Sequence, residues 1–147
     1  MLVVEPVRNT DVDPVARLAV TSLRERFSSE WLAEHAANLR GSTFLVARDV
    51  PTNQIVGFAL AEKGQGEGHL LALAVDAQRR GQGIGSALLG DVKERLARSG
   101  ALSLKLDVRW DDPAARRFYA RHGFAPQGLK EGVYSDGADA LEMARPI

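Results

Sequence analysis

The segment Leu70-Leu-Ala-Leu-Ala-Val-Asp-Ala-Gln-Arg-Arg-Gly-Gln-Gly-Ile-Gly-Ser86 constrains this chain more than any other. Its apolar start predicts a buried strand ending at Val75. A turn rich in Gly and Arg follows, and then a helix opens. Gly81, Gly83 and Gly85 stand at alternate positions and remove the Cβ atoms that would hold a ligand off the backbone. The helix start behind them offers unpaired N–H donors and the positive end of a macrodipole. Together these make a site for an anion, best a diphosphate.

Two familiar phosphate motifs do not fit. A P-loop needs Gly-Lys-Ser/Thr, and this segment has no Lys. A Rossmann turn needs Gly-x-Gly-x-x-Gly directly after its strand. Here five residues separate Val75 from Gly81, the spacing is Gly-x-Gly-x-Gly, and no second βαβ unit follows. On spacing alone, a tight turn without a ligand remains the alternative.

The 147 residues suffice for one domain, 1–147, with a real core. Nineteen basic residues balance nineteen acidic ones, so no electrostatic footprint for nucleic acid or an anionic membrane is expected. The absence of Cys excludes disulfides, thiolate nucleophiles and Cys-based metal sites. His35, His69 and His122 show no metal-ligand spacing, and no metal is expected. The start, Met1-Leu-Val-Val-Glu-Pro-Val-Arg8, reads as a strand and not a signal peptide, and no apolar run approaches the roughly 20 residues of a membrane span. A cytoplasmic protein, monomer or homodimer, is expected.

Along the chain, residues 2–8 predict a strand, and Thr10 or Asp11 caps a helix carrying Val15, Leu18, Ala19, Ser22 and Leu23. Ser28 or Ser29 starts a second helix reaching about Leu39, with Gly41 placed to end it. Thr43–Arg48 and Gln54–Glu62 predict a hairpin, and Lys63–Gly68 a glycine-rich connection. Ile84, Leu88, Val92 and Leu96 stripe the helix behind the glycine turn, which Gly100 stops. Ala101–Val108 predicts the next strand, with Leu102, Leu104 and Leu106 on one face. Strand, helix and strand then form a crossover with parallel neighbours. Asp111 or Asp112 caps a helix with Pro113 in its first turn, carrying Ala115, Phe118, Tyr119 and His122 and closing at Gly123. The tail predicts two more strands joined through Tyr134-Ser-Asp-Gly137. The order β-α-α-β-β-β-α-β-α-β-β describes one α/β domain with a mixed sheet.

Arg80-Gly-Gln-Gly-Ile-Gly85 resembles the acetyl-CoA signature of the GNAT family of N-acetyltransferases, Arg/Gln-x-x-Gly-x-Gly/Ala, and the family's usual Ala-Val-Asp precedes it. Asp112-Pro-Ala-Ala-Arg-Arg-Phe-Tyr-Ala-Arg-His-Gly-Phe124 resembles the family's Asn-x-x-Ala-x-x-Leu/Phe-Tyr-x-x-x-Gly-Phe, in the family's order and spacing. The resemblance covers roughly residues 69–125. It implies a central sheet splayed at the fourth strand, with the pantetheine arm of the acetyl-CoA co-substrate in the gap. Cofactor binding then falls to Leu73, Ala74 and Val75 and to the backbone of Arg80, Gly81, Gln82, Gly83, Ile84, Gly85 and Ser86. Tyr119 is implied beside the thioester as proton donor to the leaving thiolate, a role suited to a phenol of pKa near 10.

Three positions depart from the family pattern. Asp112 stands where an Asn donor is usual, so its bond to the cofactor gives way to helix capping as an alternative. Ala77 replaces a Pro and Arg79 an aromatic. Within the family, Leu104-Lys-Leu-Asp-Val-Arg109 and the tail Gly132–Met143 resemble acetyltransferases of ribosomal-protein alanine and other protein N-termini. That likeness implies Asp107 as catalytic base and Tyr134 as an aromatic holding the acceptor. The segment from about Arg24 to Arg40 is expected to form one wall of the acceptor groove and matches no motif of that group.

His69 is a second candidate base or a strand-end residue. Trp31 and Trp110 line the acceptor site or pack, and Arg116, Arg117 and Arg121 meet a 3′-phosphate or face solvent. The reading is acetyl transfer to a primary amine by direct attack in a ternary complex, the acceptor being a protein or peptide N-terminus. A small-molecule amine or amino acid, and a non-catalytic acyl-CoA-binding module, are the alternatives.

Overall fold

The computed structural model describes residues 1–23, 27–38 and 41–147. Its strands are β1 (Leu2–Pro6), β2 (Ser42–Asp49), β3 (Gln54–Lys63), β4 (Glu67–Val75), β5 (Ser103–Arg109), β6 (Ala125–Lys130) and β7 (Ala140–Pro146). The helices are α1 (Val12–Leu23), α2 (Ser29–Ala37), α3 (Ile84–Arg98) and α4 (Pro113–Arg121). One seven-stranded sheet runs β1-β2-β3-β4-β5-β7-β6. Among the described residues only β4 and β5, joined through α3, pair in parallel, as a strand–helix–strand crossover in one sheet requires. The expected element order is the observed one.

Two apolar layers sandwich the sheet. Ile84, Leu88, Leu89, Val92 and Leu96 of α3 pack with Leu104, Leu106 and Val108 of β5 on one face. Val12, Val15 and Ala19 of α1 and Leu32 and Ala36 of α2 pack with Phe44, Phe58 and Leu60 on the other. β2 and β3 are covered on both sides, so their sequences read as near-continuous apolar runs.

Helix starts follow their chemistry. The Ser28 hydroxyl accepts from Trp31 N–H at 3.0 Å, and the Asp112 carboxylate from Ala115 N–H at 3.1 Å with Pro113 next in line. Asp11 acts differently from a simple cap. It sits in a short 3₁₀ turn, Asn9–Asp11, and reaches back to Arg8 N–H at 2.9 Å.

Several boundaries differ from expectation. The second helix closes at Asn38, whose N–H donates to Glu34 and His35 carbonyls. Gly41 is not a left-handed cap, and Leu39 lies outside the described residues. The connection before β4 shrinks to residues 64–66, because Gly68 is a strand residue paired with Lys63 and Leu104. A Cβ on Gly68 would sit 2.7 Å from Leu96 Cδ1, so this glycine serves close packing of α3 and not a turn. Leu102 precedes β5 and is exposed, whereas Leu104 and Leu106 are buried.

Candidate active site

The sheet opens where β4 bends. Leu60 pairs with Ala72 and Ala61 with Leu70, which leaves Leu71 as an extra, unopposed residue. Such a bulge kinks its strand and increases its twist. Pairing of β4 with β5 ends at the same level, at Leu70 opposite Leu106. Beyond it the two parallel strands diverge, as the resemblance implies.

The main-chain groups in this opening follow from the ladder. Asp76 N–H donates to Val56 O at 2.8 Å. Hydrogen-bonded and non-bonded pairs alternate along an antiparallel ladder. The groups of Ala74 and Ala72 therefore turn toward β3, and those of Leu73 and Val75 turn into the opening. Ala74 is a correction to the expected binding set. Its side chain is buried in the α1 layer and its backbone is committed to β3, so it presents nothing to a ligand.

Past Val75 the chain makes a 3₁₀ turn, Ala77–Arg79, capped by the Asp76 carboxylate accepting from Gln78 N–H at 3.0 Å. Arg79 pairs with Asp49 at 2.9 Å and ties this turn to the β2–β3 hairpin. Gly81 and Gly83 both hold left-handed φ, +79° and +80°, and a Cβ on either would meet nothing within 4 Å. That open space lies before the N-terminus of α3. The first intrahelical bond runs from Ala87 N–H to Gly83 O, so the N–H groups of Ile84, Gly85 and Ser86 precede it. Arg80, Gln82 and Ser86 are exposed around this end. Ile84 contributes its backbone alone, since its side chain is in the core. Gly85 has a different reason from its neighbours: its Cβ would lie 3.3 Å from Phe118 Cζ, so it allows α4 to approach α3. An open cradle of backbone donors at the positive end of a 15-residue helix fits the diphosphate of acetyl-CoA.

A cleft of about 170 Å³ occupies the divergence of β4 and β5. Leu71 and Leu73 form one wall, Asp107 and Arg109 another, and Tyr119, Asp112 and Tyr134 close it. Phe27, within the expected groove wall, lines it from the α1 side together with Ser22 and Leu23, which lie outside the expected segment. Of the expected groove wall, Arg24–Arg26, Leu39 and Arg40 lie outside the described residues.

Tyr119 sits on α4 with its ring edge-on to Phe118 and Phe124, at 5.2 and 5.7 Å between centroids. Burial, reinforced by the Asp112 carboxylate and by Tyr134, pushes its phenol well above the ordinary range. Among the described residues no hydrogen bond engages its hydroxyl. Asp107 faces the α1 side of β5, and Lys130 bridges it to Glu142 at 3.1 and 3.0 Å. Asp112 is a helix cap that also lines the cleft.

His122, beyond the sequence-based site, joins the two motifs. Its Nδ1 must donate to the Phe118 carbonyl at 2.9 Å, and its Nε2 faces Ser86 Oγ at 2.9 Å. It thereby ties α4 to the start of α3. His69 lies at the paired end of β4 opposite Glu62 and Lys105 and does not line the cleft. Trp31 stacks with Phe27 at 5.1 Å, and Trp110 lies beneath Arg116 at 4.6 Å. A wider groove of about 710 Å³ runs along α1 and the β2–β3 turn. Its buried Arg48 is fully engaged by Glu5, Asp11 and Asn53, so the groove offers a closed ion network and no reactive group.

A sheet opened between parallel strands, with an anion cradle at one end of the gap and a phenol at its centre, defines an acyl-group transferase drawing on a diphosphate-bearing donor. The profile of the acetyltransferase (GNAT) family matches residues 12–124, and the chain belongs to that family. It is an acetyl-CoA-dependent N-acetyltransferase. The ribosomal-protein-S18-alanine N-acetyltransferase of Escherichia coli is 31% identical over 120 residues, 80% of this chain and 81% of its own length. Its crystal structure superposes with a TM-score of 0.88 at 25% identity, covering 100% of this chain and 94% of that one. An N-alpha-acetyltransferase of Sulfurisphaera tokodaii is 28% identical over 153 residues, covering 95% of this chain and 90% of the relative. An uncharacterized N-acetyltransferase of Methanocaldococcus jannaschii is 37% identical over 93 residues, 63% of this chain and 60% of its own length. No helix of the described residues is long and apolar enough to cross a membrane.

Proposed function

We propose that this enzyme acetylates the α-amine of a protein or peptide N-terminus, by direct attack in a ternary complex. The observation that carries the reading is the two-sided cleft at the β4–β5 divergence. Tyr119 and Ala115 line it from α4, while Asp107, Tyr134 and the end of α1 line it from the other side. The activities of the Escherichia coli and Sulfurisphaera tokodaii relatives support the choice of acceptor.

Acetyl-CoA supplies the activated acyl group. The amine nitrogen bonds to the carbonyl carbon, the carbon–sulfur bond breaks, and the thiolate leaves. The main-chain groups of Leu73 and Val75 face the opening and suit the pantetheine arm and the developing oxyanion. The Tyr119 hydroxyl, free of internal partners among the described residues, donates to the departing sulfur. Asp107 holds the acceptor ammonium or relays its proton through water, exchanging its contact with Lys130 for the amine. With no Cys in the chain, no thiol serves as a covalent acyl carrier. An α-amine with a pKa of about 7.7–8.0 is roughly one-tenth neutral at pH 7, whereas a Lys amine near 10.4 is almost wholly charged. Catalysis by positioning therefore favours the N-terminus.

The test is a peptide bearing both amines, incubated with enzyme and acetyl-CoA and mapped by mass spectrometry. Acetyl groups on the N-terminus are expected. Acetyl groups found chiefly on the Lys side chain, or on small amines only, overturn the reading.

A further inference from the structure

We propose that Arg109 is a positioning residue for the acceptor, clamping the 131–139 loop so that Tyr134 is held over the cleft before substrate arrives. The inference rests on the acceptor reading above. Arg109 closes β5 just beyond the level where β4 departs, and its side chain is buried. A buried guanidinium is costly unless it is well paired, and this one has three partners. Its Nε and Nη2 donate to the two carboxylate oxygens of Asp111 at 3.0 and 3.2 Å. Nη2 also donates to Asp136, on the far side of the loop. The guanidinium carbon lies 4.8 Å from the centroid of the Tyr134 ring, a cation–π contact.

The loop itself is tightly turned. Gly132 and Gly137 hold left-handed φ, and Gly137 N–H donates to Tyr134 O at 2.9 Å. Asp136 accepts from Ala138 N–H at 3.1 Å, and Trp110 N–H donates to Asp139 O at 2.9 Å. Arg109 adds a side-chain link between this turn and the strand that carries Asp107. Tyr134 and Tyr119 line the same cleft, so the two phenols share one pocket. One buried cation thus fixes the acceptor wall relative to the catalytic strand. Lys could not replace it, because a point charge cannot span two carboxylates and a ring with one fork.

A clamp that pre-orders the acceptor wall acts on acceptor binding and not on the donor. The experiment compares the native enzyme with Asp136→Asn, Arg109→Lys and Arg109→Met. Asp136 is more than half exposed, so its variant keeps the test alive if Arg109→Met fails to fold. Hydrogen exchange of residues 131–139 is measured together with the KM for an acceptor peptide, kcat, and acetyl-CoA affinity. Faster exchange in the loop is expected. Peptide KM should rise by roughly 10-fold in Arg109→Met and less in Asp136→Asn and Arg109→Lys, with kcat changed less and acetyl-CoA affinity unaltered. Unchanged loop exchange, unchanged peptide KM, or a parallel loss of acetyl-CoA affinity overturns the clamp. If the native enzyme turns over small amines alone, the N-terminal reading falls. The clamp is then judged by loop exchange and by the KM of that amine, with the same outcomes for and against.

Discussion

Replacing Tyr119 by Phe isolates one hydroxyl. The ring stays edge-on to Phe118 and Phe124, so packing is kept. No internal hydrogen bond is lost among the described residues and the hydroxyl borders the cleft, so thermal stability should be unchanged. The kinetic effect can be bounded. A thiol has a pKa near 8.5 and an unperturbed phenol near 10, so full proton transfer to the thiolate is uphill by at least about 2 kcal/mol. Burial pushes Tyr119 higher still and makes that transfer harder. Its contribution is therefore a charge-assisted hydrogen bond to the developing thiolate, worth about 1.5–3 kcal/mol. That corresponds to a fall in kcat of roughly 10- to 150-fold. Steady-state release of CoA, read with a thiol reagent, gives kcat directly. Because Tyr119 stays protonated to beyond pH 10, kcat/KM should rise through the acceptor's pKa near 8 and show no descending limb from this residue below pH 10. A loss of less than about 3-fold would assign the proton to water. A change confined to the KM for acetyl-CoA would reduce Tyr119 to a packing residue.

Two further perturbations probe other parts of the site and its frame. Gly83→Asp places a carboxylate in open space at a left-handed position, so stability should fall by only about 1–2 kcal/mol from backbone strain. Like charges about 4 Å apart near a surface repel by about 4 kcal/mol before screening, and calorimetry should show acetyl-CoA affinity down by at least about 10²-fold. Gly83→Ala carries the strain without the charge, and unchanged affinity in a folded Gly83→Asp would remove the cradle from the donor site. In the α2 frame, burial lowers the His35 pKa, but hydrogen bonds to the Trp31 carbonyl and to Glu62 at 2.7 Å outweigh it and raise the net value above 6.5. A raised folded pKa stabilises below the unfolded value of about 6.5, and that contribution is lost as pH climbs through the folded one. Denaturant midpoints should therefore drop above pH 6.5. Glu62→Gln should flatten the drop, and an unchanged slope in that variant would refute the coupling.

The sequence by itself determined the order of elements, the parallel β4–β5 crossover and the anion cradle, because each rests on local chemistry. Gly81 and Gly83 are glycines for their left-handed φ, Asp112 and Pro113 start a helix wherever it docks, and apolar residues at every fourth position make α3 amphipathic. The alternation that turns Leu73 toward the opening and Ala74 away was a property of a ladder, and needed a partner strand to set its phase. Gly68 read as part of a glycine-rich connection and Gly85 as room for a ligand, and both proved to serve close packing, since what their Cβ would strike, Leu96 and Phe118, is remote in sequence. The opening of the sheet entered through family likeness and not through propensity. Its physical cause, one extra residue at Leu71, depends on which β3 residues stand opposite. Ser22 and Leu23 reach the cleft, and Arg109 reaches Asp136, across spans of chain that no local pattern encodes. Short-range rules decide what each segment becomes, while side chains far apart in sequence become a site only when the sheet fixes their distances.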